Sequence, residues 1–335
     1  MQLLTNNQPP TLKRHRSKQL GLVLVLLVAV LTATFNYRNI ADWIALRDYL
    51  PPATISNLAS QTTMTPLARK IFYVNQPELS AKSAFGNKCP NGEREKTIVL
   101  GCYHGNQNGI FLLDVSDPRL SGVEGVTSAH EMLHAAYERL SSRERTRIDA
   151  LLQAYFKNDL RDQRILDTIA AYRKTEPNDV VNEMHSIFAT EVANLPPKLE
   201  QYYRRYFTDR AQIVSYADAY QAEFTSRQTA VEQADEQLAA WKLQISSGQA
   251  DLKTRNAAIV STQKALLLER STKTAAYNAA VPGYNKLVDD YNVEVQTVKA
   301  LIERYNELVV SRNAIVLEEA KLVNELNATS SPINH

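Results

Sequence analysis

A hydrophobic stripe with a seven-residue period runs through the last third of this 335-residue chain and constrains its fold more than any other feature. Positions alternately four and three apart run from Ile213 through Ala217, Tyr220 and Phe224 to Ile259, Thr262 and Leu266, and twelve of these sixteen are apolar. A second series runs from Tyr284 through Leu287, Tyr291, Val298, Leu301, Tyr305 and Leu308 to Leu322 and Leu326. Tyr-Asn pairs at 277, 284, 291 and 305 repeat at multiples of seven and mark one register. Such a repeat lines the side chains along one seam of a helix, and a long helix with a wet seam must find a partner. The expectation is an all-α coiled-coil hairpin over 210–326 that reverses between 270 and 283, with Ser246-Ser247-Gly248 as a second candidate turn. Pairing between chains, as a homo-oligomer or with another coiled-coil partner, satisfies the same seams. A short tail, 327–335, follows.

The other end of the chain has a different character. Residues 1–19 are polar and basic, and 20–35 carry no charge. Tyr37 and 40–43 extend that apolar run toward the length of a bilayer span. A transmembrane signal-anchor over 20–43 is predicted, with the basic tail cytoplasmic and the remainder extracytoplasmic. Secretion after cleavage near Leu31-Thr32-Ala33 is the alternative. Both topologies place Cys89 and Cys102 in an oxidising compartment, where they can close a local disulfide across Pro90-Asn91-Gly92. Lys+Arg number 38 against 36 Asp+Glu, so no basic field points to nucleic acid as a partner.

Between these ends, 44–65 reads as a linker and 66–209 as an α+β domain. Three β-rich runs, 71–74, 97–100 and 110–113, suggest a small antiparallel sheet. From Ser121 the period changes to that of helices. Ser121-x-x-Glu124 and Ser141-x-x-Glu144 read as capping boxes that open two helices, the first extending to about Leu140. Further helical segments are expected near 160–172 and 180–193, and over 198–209 with Pro197 in its first turn.

The first of these helices carries His130-Glu131-Met132-Leu133-His134. Histidines four apart on a helix share a face and can grip one Zn²⁺, and Glu131 lies beside them as a general base. Zinc would lower the pKa of a bound water toward ~7 and polarise a scissile carbonyl. A catalytic zinc takes three protein ligands, and the metzincin histidine six residues past the second is absent, because Leu140 stands there. A downstream segment, Asn182-Glu183-Met184-His185 through Thr190-Glu191, offers the third. Glu183 and His185 point about 200° apart on a helix, so only one can face the metal.

On the motif and on Asn182-Glu183, the chain resembles the zincin metallopeptidases, particularly the gluzincins. That resemblance implies a zincin-like catalytic domain with His130, His134 and Glu183 as zinc ligands and Glu131 as the catalytic base. His185 is the rival ligand and Glu191 a weaker one. The aspartate that often follows the ligand glutamate is replaced by Ile187, and Ser186 and Thr190 share the face of Glu183. The implied activity is hydrolysis of peptide or protein substrates by a membrane-anchored enzyme. The alternative is a zinc-binding envelope coiled-coil scaffold or adaptor without turnover.

Overall fold

The computed structural model describes residues 37–90 and 100–327. Residues 37–46 form α1, so the expected span at 20–43 lies outside the described residues except for its last stretch, 37–43. Residues 1–19 and 328–335 also lie outside. Among the described residues no helix is long and apolar enough to cross a membrane. Cys89 and Cys102 are disulfide-bonded, as their spacing suggests.

The expected linker is folded. Within 44–65, α2 (Ala53–Gln61) buries Ile55, Leu58 and Ala59. The run 71–74 is not a strand but the end of α3 (Pro66–Val74). Thr65 caps this helix through its side-chain oxygen, and Pro66 supplies the preset first turn. Its aromatic and β-branched residues follow a helical stripe, with Ala68, Ile71, Phe72 and Val74 buried.

A three-stranded sheet has the order β1 (Glu78–Ser80), β3 (Ile110–Leu113), β2 (Gly101–Tyr103). The run 110–113 is a strand as predicted, whereas β1 falls where none was expected. Most of the predicted strand at 97–100 lies outside the described residues, and β2 begins just after it. β2 pairs antiparallel with β3, with Cys102 opposite Phe111. Because β2 ends the strand order, its outer edge has no strand beside it among the described residues.

After α4 (Lys82–Lys88) and a 3₁₀ turn at Pro118–Leu120 come five helices: α5 (Val123–Glu138), α6 (Ser142–Asn158), α7 (Gln163–Thr175), α8 (Val180–Glu191) and α9 (Pro197–Tyr203). The second predicted capping box forms, since Ser141 Oγ accepts from Glu144 N–H and donates to its carboxylate. The first does not. Ser121 ends the 3₁₀ turn, α5 starts after Gly122 at φ +95°, and Glu124 instead accepts Val115 N–H. The helix predicted over 198–209 stops early, at Tyr203.

The described residues pack as two compact units. One holds those up to Ser80 with Gly101–Leu112 and Thr127–Ile213, and the other holds the rest. In the first, α8 packs on both α6 and α7. Its carbonyl end is capped by the buried guanidinium of Arg210, which donates to the carbonyls of Ala189, Val192 and Ala193.

The second unit is dominated by two long helices, α10 (Arg210–Glu269) and α11 (Thr274–Leu326). They run antiparallel: Arg312 pairs with Asp235, Arg227 with Glu318, and Gly248 lies against Val298. Of the first seam only Arg255 is exposed, and of the second only Leu287. The reversal falls at 270–273, the early end of the expected window, and not at Ser246-Ser247-Gly248. Gly248 sits there because a Cβ would come within 2.6 Å of Val298 Cγ2. Pro282 lies inside α11 instead of before it.

Candidate metal centre

α5 is amphipathic in an unusual way, because three of its faces do different work. Ala129, Met132, Leu133, Ala135 and Ala136 are buried, which fixes the helix in the core. A second face turns His130 and His134 toward α8. A third carries Thr127, Glu131 and Glu138 toward β2.

On the α8 side, Glu183 lies between the two histidines. Its Oε2 is 3.5 Å from His130 Nε2, and its Oε1 is 3.4 Å from His134 Nε2. The ligand atoms of all three residues lie within 4.8 Å of one another. His130 is half-buried, while His134 and Glu183 are buried. These separations exceed the 2.7–2.9 Å of charge-assisted hydrogen bonds. They match the edge of a tetrahedron built on Zn–N or Zn–O bonds, about 3.3–3.4 Å. Glu183 Oε2 and His134 Nδ1 are buried with no hydrogen-bond partner among the described residues. With a carboxylate oxygen left without a donor between two imidazoles, the three residues could hold a metal ion, and a set of two nitrogen donors and one oxygen donor is one that zinc, among other divalent ions, accepts.

The electrostatics agree. Burial alone would push His130 down, but the carboxylate of Glu183 outweighs it and raises the imidazolium pKa to about 9. Burial likewise raises Glu183, yet His134 and His130 bring it below the ordinary 4.5.

On the β2 side, Glu131 is buried and accepts a hydrogen bond from the backbone N–H of Tyr103. Burial raises its pKa above 4.5, the two histidines opposing. The Tyr103 hydroxyl donates to Glu138 Oε2 at 2.6 Å, so one residue of β2 is held by two carboxylates two turns apart on α5. Gly101 makes this approach possible: a Cβ there would lie 2.6 Å from Thr127 Cγ2 and 2.9 Å from Glu131 Oε1. The edge of β2 therefore runs directly past Glu131.

The two rival ligands are elsewhere. His185 is fully buried on the opposite face of α8, where its Nε2 meets the Tyr202 hydroxyl at 2.8 Å and its ring lies against Tyr137 and Tyr203. Burial pushes its pKa down to about 3, so it is a neutral core histidine. Glu191 pairs with Arg164 at 2.5 Å. Thr190 donates back to the Ser186 carbonyl, one turn earlier, so its hydroxyl serves the helix. Sequence reasoning missed Glu176 and Asp179, whose carboxylates lie within 4.8 Å of that of Glu183. Asp179 stands one turn before Glu183, at the N-cap of α8, and that spacing was the available signal.

No family model matches this chain, and no curated protein or solved structure shows significant similarity to it.

Proposed function

We propose that this chain is a membrane-anchored, zinc-dependent metallopeptidase of the gluzincin type. The single observation that carries this reading is the convergence of His130, His134 and Glu183, with Glu131 beside them against the outer edge of β2. His130, His134 and Glu183 would hold the ion, which when bound supplies Lewis-acid polarisation and an acidified water. Glu131 would take a proton from the attacking water and return it to the leaving amine. Its burial favours that role, since a raised pKa makes the carboxylate a better proton acceptor at neutral pH.

The outer edge of β2 supports a peptide as the substrate. An extended chain could add to that edge through main-chain hydrogen bonds, replacing the one that Tyr103 N–H makes to Glu131, which would lay its carbonyls alongside Glu131. The long α10–α11 hairpin, as a coiled-coil arm, serves docking or oligomerisation in this reading. Full-length protein prepared without chelators should contain zinc and cleave peptides, and Glu131→Gln should keep the zinc and lose the cleavage. Zinc without cleavage in the wild type would instead make the chain a metal-binding scaffold.

A further inference from the structure

α1 has two unlike faces. Its inner face is fastened to the domain by Asp42, which is 1% exposed. Arg139, the residue following α5, grips both Asp42 oxygens at 2.9 and 3.0 Å. Lys70 of α3 pairs with the same carboxylate at 3.0 Å and donates to Asn39 Oδ1. Arg38 donates to the Arg139 carbonyl. These contacts set which face of α1 meets the domain.

The outer face is therefore held in the open although it is apolar. Tyr37, Ile40, Trp43 and Ile44 are 60%, 45%, 66% and 57% exposed. Four such side chains offer on the order of 500 Å² of apolar surface, short of the roughly 800 Å² per partner that a stable dimer buries. In the sequence, the uncharged run 20–35 ends two residues before Tyr37. Tryptophan and tyrosine with aliphatic neighbours are the composition of the membrane–water interface.

We propose that the outer face of α1 docks on the surface of a lipid bilayer, and that the clamp thereby holds the metal-binding domain against the membrane. His134 lies five residues before Arg139, about 8 Å along the helix axis. α5 thus carries His130 and His134 and leads directly into the clamp residue Arg139. Resting on the peptidase and anchor reading above, this selects a substrate class: polypeptide segments lying close to the bilayer surface.

The two tryptophans make a direct test possible. In the full chain, Trp241→Phe leaves Trp43 as the only tryptophan, and Trp241→Tyr serves if that variant misfolds. The protein is reconstituted into phosphatidylcholine–phosphatidylglycerol vesicles, floated on a density gradient, and read with lipids brominated at defined depths. Trp43 emission should shift to the blue and fall about twofold with bromines near the interface. A chain that floats while Trp43 stays unquenched overturns the docking and leaves the anchor intact. A chain that does not float overturns both, whereas peptide cleavage is scored separately through Glu131→Gln.

Discussion

Glu183 bridges His130 and His134 through its two oxygens, at 3.5 and 3.4 Å, although it comes from a helix about fifty residues further along the chain. α8 is held in place for this by Arg210 at its carbonyl end and by the Tyr203 hydroxyl, which donates to the His185 carbonyl at 2.8 Å. Glu183→Ala should reduce zinc affinity by more than about 100-fold in competition with a chromophoric chelator. His185→Ala should leave affinity nearly unchanged and cost about 2–4 kcal/mol of stability, through a cavity and the loss of the hydrogen bond to the Tyr202 hydroxyl. The reverse result would reassign the third ligand.

The metal-free protein should show an opposite pH dependence to the loaded one. The folded pKa of His130, about 9, lies above its ordinary 6.5. The stabilisation from its imidazolium is therefore complete below 6.5 and lost as pH rises through 9. Metal binding needs deprotonated imidazoles, so it strengthens as pH rises. Urea unfolding of chelator-treated protein at pH 6, 7.5 and 9 should show falling stability, while added zinc should stabilise most at the higher values.

Gly101→Ala separates metal binding from the positioning of Glu131. The new methyl would meet Thr127 and Glu131 at under 3 Å and push β2 from α5. A loss of about 1–3 kcal/mol is expected, with zinc content retained and peptide cleavage strongly reduced. Unchanged cleavage would show that the β2 edge plays no part in catalysis.

The Asp42 clamp is also measurable. Burial raises the carboxyl's pKa, but Arg139 and Lys70 hold it below 3.8. Its contribution is present above 3.8 and disappears as pH falls through the lower folded value. Asp42→Asn should cost about 3–5 kcal/mol at neutral pH, because it leaves two cations without their carboxylate. The deficit, read from urea midpoints, should narrow as the pH falls below 3.8 and through the lower folded value.

What could be read from sequence follows the range of the interactions involved. The seams of α10 and α11 were legible because a seven-residue repeat is a local property that burial then enforces. The position of the turn was less so. Pro282 looks like a stop, yet Asn278, whose carbonyl it deprives of a donor, is exposed to water that can take the donor's place. Residues 71–74 have strand composition, but the Thr65-Pro66 start made them helical. His130, Glu131 and His134 were legible from spacing alone. Glu183 was chosen over His185 by resemblance, and α8 turns Glu183 into the cluster and His185 into a nest of tyrosines. Asp179 stands one turn before Glu183, a spacing legible in the sequence, but that its carboxylate and that of Glu176 gather beside Glu183 depends on how α8 begins.

Peptide cleavage by zinc-loaded wild type and Glu131→Gln, compared at equal measured metal content, addresses the central claim most directly. The expected result is about one zinc per chain in both proteins, with cleavage of a broad peptide library reduced by about 10²–10⁴-fold in the variant. Equal cleavage by both proteins, or a wild type that holds no zinc when purified without chelators, would contradict it.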